Sequence, residues 1–251
     1  MCMFSGKVSE VSNTRIFARM VAPARQGLVY AMNVDTPAEV AMVLPLPVVA
    51  GSAEDAVKFI DLSKFPHFFA SLDKGFPSPA GGDPFARSFG PTPQAASLPV
   101  HQVGSFEASY VPKMADFSRL DARFRLPEGS LEKVGLYQDY GFAVFKFKPG
   151  KQKVHPMALT FPSHFADRLF FPTVHIHDGE VHEKETFDHN LYAQCRQQGG
   201  RALLPWEESS GNAVVFSQAG LSEGLIDATK HVYRKKLKGV LKNEDQFLLS
   251  V

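Results

Sequence analysis

Five of the nine histidines fall between His164 and His189. The densest stretch is Val174-His175-Ile176-His177-Asp178-Gly179-Glu180-Val181-His182. Asp-Gly is the strongest short-range signal for a two-residue hairpin turn, because both central residues of that turn take positive φ. With 178–179 as the turn, His177 opposes Glu180, Ile176 opposes Val181 and His175 opposes His182. Opposed residues share a face of a hairpin, with Cβ atoms about 5 Å apart. One face therefore carries His175, His177, Glu180 and His182, and the other carries Val174, Ile176 and Val181. Imidazoles and a carboxylate on one face form a ligand set for Zn²⁺ or Fe²⁺. This pattern predicts a metal-binding protein, and a metalloenzyme if one coordination position stays open to activate water or O₂. His175, His177 and His182 would be ligands, His189 or His155 would complete the shell, and Glu180 would be a fourth ligand or a general base. The same pattern also fits a plain amphipathic hairpin with a wet polar face.

His-x-His on a strand followed by a carboxylate resembles the ligand style of cupin metal sites. A second chemistry starts at Cys2. Removal of Met1 would expose an N-terminal cysteine whose own α-amine could act as base. Downstream, Phe17-Ala18-Arg19-Met20 resembles the Phe-Gly-Arg-Asn strand of the choloylglycine-hydrolase branch of N-terminal-nucleophile hydrolases. That resemblance implies an amidohydrolase with Cys2 as nucleophile and Arg19 orienting the thiolate. The family continues with Asn and then Asp, where this chain has Met20, Val21 and Ala22. The other thiol, Cys195, reads as a buried structural cysteine.

The elements that must position these residues read mostly as strands, at 15–20, 26–34, 40–48, 106–110, 141–148, 154–161 and 246–249, with a hairpin over 173–184. Helices are predicted from Ser52, where Asp55 completes a capping-box pattern, and over 68–72, 116–124, 130–140 and 221–233. The fold class expected is α+β: a mostly antiparallel sheet built from hairpins, with helices packed on it. A weak repeat adds to this. Residues 27–34, a turn and Ala41-Met42-Val43-Leu44-Pro45 match residues 141–148, a turn and Pro156-Met157-Ala158-Leu159-Thr160-Phe161-Pro162. A duplicated hairpin would set two similar halves side by side in one sheet. The Leu28-Val29-Tyr30-x-Met32, Ala41-Met42-Val43-Leu44-Pro45-Leu46-Pro47 and Tyr140-Gly141-Phe142-Ala143-Val144 segments resemble an uncharacterised bacterial domain family, which implies no activity.

The chain of 251 residues, 44% hydrophobic and 21% charged, suits a single domain over 1–251. Residues 75–100 stand apart. Pro77, Pro79, Pro84, Pro91, Pro93 and Pro99 alternate there with Gly75, Gly81, Gly82 and Gly90, which rules out regular structure and predicts a linker or long surface loop. Long loops often carry function, so this segment would be the contact element of a non-catalytic binding or assembly module, the third reading.

A net charge of +1 supplies no cationic surplus for nucleic acid. The run Arg234-Lys235-Lys236-Leu237-Lys238 reads as a solvated helix face. Two cysteines make no disulfide framework. No signal-peptide apolar region opens the chain, and the longest apolar run, 40–50, is too short to span a bilayer. These features predict a cytoplasmic protein with a small-molecule or protein partner and no membrane or nucleic-acid contact. Phosphate-loop, dinucleotide and nucleophile-elbow motifs are absent from the sequence.

Overall fold

The structure, a computed structural model, describes residues 2–49, 51–76, 101–103, 106–120, 122, 125, 137–153, 155–176, 181–195 and 205–249. The first half contains β1 (Cys2–Phe4), β2 (Glu10–Ala22), β3 (Arg25–Thr36), β4 (Val40–Leu46), β5 (Lys58–Ile60), the helix α1 (Phe68–Asp73), β6 (His101–Val103) and β7 (Phe106–Val111). The second half adds β8 (Gly141–Phe147), β9 (Gly150–Lys153), β10 (Met157–Pro162), β11 (Arg168–Phe171), β12 (His175–Ile176), β13 (Lys184–Gln194), β14 (Glu207–Glu208), β15 (Tyr233–Lys242) and β16 (Gln246–Leu249). A six-stranded sheet runs β12-β1-β4-β8-β7-β6, an eight-stranded sheet runs β14-β15-β13-β2-β3-β10-β5 with β9 beside β3, and β11 pairs with β16.

The two large sheets face each other, and strand alternation decides which side chains meet between them. Val40, Met42, Leu44 and Leu46 of β4 enter one core cluster with Leu28, Tyr30, Met32 and Val34 of β3. The intervening residues point outward and are buried as well. Ala41 and Val43 pack under Phe117, Leu120 and Tyr137. Phe17 and Val29 pack under Phe65, Phe68, Phe69 and Leu72 of the α1 region. Covering on both faces explains why β4 is apolar at every position, and each fully buried Phe contributes about 1.5–3 kcal/mol.

This architecture corrects the α+β expectation. Among the described residues no helix reaches seven residues; α1 has six, as does the 3₁₀ turn Met114–Arg119. Among the described residues the sheet faces are covered by loops, short turns and the single short helix α1. The helix expected from Ser52 is a turn in which the Ser52 hydroxyl donates to the Val49 carbonyl, followed by β5. The helix expected over 221–233 is interrupted by Glu223 and Gly224 at φ 51° and 78°, and the basic run lies on β15. Most of the helix expected over 130–140 lies outside the described residues. The short helix over 68–72 and the strand over 246–249 are present as α1 and β16.

The repeat takes a form other than two halves in one sheet. β3 pairs with β10 in the eight-stranded sheet, while β4 pairs with β8 in the six-stranded sheet. Each copy crosses from one sheet to the other, in opposite directions. Ser12-Asn13 is a bulge inside β2, with Asn13 at φ 53° and a register shift before Arg15. No helix among the described residues is long and apolar enough to cross a membrane.

Candidate functional site

The histidine hairpin does not form as expected. β12 pairs in parallel with β1, Cys2 opposite His175 and Met3 opposite Ile176, so it belongs to the six-stranded sheet. β13 begins at Lys184 in the eight-stranded sheet, opposite Lys242 of β15. His175 and His182 are therefore not cross-strand neighbours: His175 is buried, and His182 lies outside any strand and is exposed. His177 and Glu180 lie outside the described residues.

The structure does bring His175 and His189 together. Both are buried, and their Nε2 atoms are 2.8 Å apart. Phe187 packs against the His175 ring at 4.6 Å between centroids. Asn243 holds the backbone of His175 from both sides, accepting from its N–H at 2.7 Å and donating to its carbonyl at 2.9 Å. The Asn243 amide also donates to the His182 carbonyl. Asp245 accepts from the N–H groups of Thr173 and Val174 through Oδ1 and from the Tyr137 hydroxyl through Oδ2. The metal-binding expectation is thus corrected: among the described residues no group of three or more His, Cys, Asp and Glu side chains is placed to hold a metal ion.

Arg19 sits on β2 in the eight-stranded sheet, whereas Cys2 sits on β1 in the six-stranded sheet. Its guanidinium donates to the carbonyls of Gly224 and Leu225 at 3.0 and 3.1 Å, clamping the turn that replaces the expected helix. Burial lowers its pKa, and the Asp227 charge opposes that shift. Cys195, at the end of β13, is buried, and burial pushes its thiol up to about 11. It stays protonated at neutral pH, as an inert structural thiol does.

A polar cluster that the sequence did not single out lies where the chain leaves α1 for residues 77–100. Asp73 closes the helix, an unfavourable place for a carboxylate because the helix dipole is negative there. Three donors meet it. The Tyr192 hydroxyl donates to Oδ1 at 2.5 Å, Arg15 donates to Oδ2 at 3.3 Å, and Arg234 lies 3.5 Å from Oδ1. Arg234 is 8% exposed, and Glu207 accepts from its Nε at 3.2 Å and its NH2 at 2.8 Å. Its guanidinium carbon stands 4.2 Å over the Phe76 ring. Burial, with the Asp73 charge behind it, raises the Tyr192 pKa above its ordinary value.

The backbone is held in the same place. The amides of Gly75 and Phe76 donate to the Leu72 and Asp73 carbonyls, and the Gly75 carbonyl accepts from Ser210. Gly75 is required by close approach, since a Cβ there would lie 2.6 Å from the Phe216 ring. Beyond Phe216 the surface is apolar, with Val214 and Val215 64% and 77% exposed. The available sequence hint was a helix-terminal carboxylate directly before a Pro/Gly run. Its partners come from β2, β13, β14 and β15, far away along the chain.

No family model matches this chain, and no curated protein matches it. Solved structures do share its fold. The crystal structure of baculovirus P35 is 14% identical and aligns over 98% of this chain and 99% of its own, with a TM-score of 0.52. A mutated baculovirus P35 after caspase cleavage is 15% identical over 96% of this chain and 100% of its own, at 0.51. The P35 of a caspase-8/P35 complex is 13% identical over 95% of this chain and 96% of its own, at 0.50. These are not N-terminal-nucleophile hydrolases, and at this identity they establish the fold alone.

Proposed function

We propose that this chain is a protein-binding module that engages a caspase-type protease, with residues 77–100 as the contact segment. The observation that carries the reading is the end-to-end correspondence with baculovirus P35, over 98% of one chain and 99% of the other. P35 has been seen both after caspase cleavage and in complex with caspase-8. P35 is thus both cut by a caspase, in a mutated form, and found bound to one. The reading transfers that behaviour to this chain.

Three features of the chain fit. Residues 77–100 carry a Pro/Gly pattern that disfavours helix and suits a chain held extended in a protease cleft. Both flanks are built into the body: Phe76 is 4% exposed within the outer core cluster, and β6, which starts at His101, pairs with β7. A stretch tied at both ends loses less entropy on binding than a free peptide does. The net charge of +1 removes the electrostatic case for a nucleic-acid partner.

The test is size-exclusion chromatography of the chain mixed with caspase-8, beside a variant in which 77–100 is replaced by a Gly/Ser linker of equal length. The parent should co-elute with the protease and the linker variant should not. Separate elution of parent and protease, or co-elution of both forms, would sink the reading in its present form.

A further inference from the structure

We propose that Arg234 is a positioning residue for the contact segment, fixing the point at which the chain enters residues 77–100. The inference rests on the reading of that segment as the contact element and deepens it. Three groups converge on one guanidinium. Glu207 takes Nε and NH2, Asp73 stands at NH1, and the Phe76 ring lies under the plane. Asp73 is the last residue of α1, and Phe76 is the last described residue before the segment. A single side chain of the β15 strand therefore grips both ends of the four-residue exit from Asp73 to Phe76.

Stability alone is a poor reason for this arrangement. Burying an arginine between carboxylates costs desolvation that a well-packed apolar side chain avoids. What the fork does supply is geometry, since a planar guanidinium orients two carboxylates and a ring at once, which an ammonium cannot do. The rest of the basic run contrasts with it. Lys236 and Lys238 are exposed, and Lys235 reaches Gln246 at 2.8 Å. Tyr192 supports the clamp from below, donating to Asp73 and packing its ring 6.3 Å from Phe76. Arg15 balances the second carboxylate oxygen.

The experiment uses the full chain with Arg234→Lys and, because a buried lysine could unfold it, Phe76→Leu as a milder second variant. Amide hydrogen exchange is followed in the free protein, and caspase-8 is the binding probe. In both variants the Gly75 and Phe76 amides should exchange at least tenfold faster while the β3 and β13 amides keep their parental rates. Caspase-8 affinity should fall at least tenfold in both. Parental exchange at residues 75 and 76 in both variants would overturn the clamp, whatever the binding does. Accelerated exchange with parental affinity would overturn the positioning role. A parent chain that never binds caspase-8 would overturn the proposed function, while the exchange data would still decide the clamp.

Discussion

The Nε2 atoms of His175 and His189 lie 2.8 Å apart, and the bond joins the two large sheets, β12 on one side and β13 on the other. At that distance one ring nitrogen donates and the other accepts, so the pair cannot carry two protons on the facing atoms. Removing either imidazole deletes the hydrogen bond between the two rings. His175→Ala or His189→Ala should each cost about 1–3 kcal/mol of stability, read from urea unfolding midpoints. The double variant should lose clearly less than the sum, because the pair acts as one unit. Additive losses would show that the two rings are energetically independent.

A third histidine, His155, makes stability depend on pH. Burial holds the His155 imidazole below its ordinary value of 6.5, with the Pro156 carbonyl and the Asp61 charge offsetting part of that effect. The unfolded chain takes up the proton at the ordinary value. Between the lowered folded value and 6.5 the unfolded state binds more protons, so stability rises with pH in that window and falls on acidification. His164 is lowered by burial too and acts in the same direction. Urea melts at about pH 7.5 and about pH 5 should show a smaller acid loss in His155→Gln than in the parent. Equal acid losses would remove His155 from the account.

The exit from α1 makes a packing prediction. A Cβ at residue 75 would sit 2.6 Å from the Phe216 ring, and overpacking of this kind costs about 1–3 kcal/mol. Gly75→Ala should lower the melting temperature, and Phe216→Leu in the same chain should recover part of the loss. No recovery would mean that the strain falls elsewhere.

Residues 77–100 contain two charged side chains, Asp83 and Arg87. If a protease cleft reads charge in this segment, it must read one of them. Replacing both with alanine should weaken caspase-8 binding at least tenfold, about 1.4 kcal/mol, with no change in melting temperature. Parental affinity in that double variant would move recognition to the apolar side chains.

Strands were far easier to read than helices. Alternation located β2 and β3, and unbroken apolar runs located β4 and β8, which are buried on both faces. The false helices had one cause: local signals that tertiary contacts override. Ser52 with Asp55 looked like a cap, yet Lys58–Ile60 pairs with β10 as a strand. The lysines of 234–238 looked like a helix face, but they sit on β15, whose outer edge they line with charge, a common protection of sheet edges. Asp178-Gly179 suggested that its flanks pair with each other. Nothing local reveals that His175 would instead face Cys2 at the start of the chain. The Arg234 cluster was hidden for the same reason, being assembled from residues 15, 73, 192, 207 and 234. Residues 77–100 lie outside the described residues, so their Pro/Gly pattern is read from the sequence alone.

The most direct measurement titrates caspase-8 with this chain and follows hydrolysis of a small peptide substrate. The account predicts that activity falls linearly to an end point near one chain per active site, and that the chain with 77–100 replaced leaves activity untouched. Full caspase-8 activity in the presence of excess folded chain would contradict it.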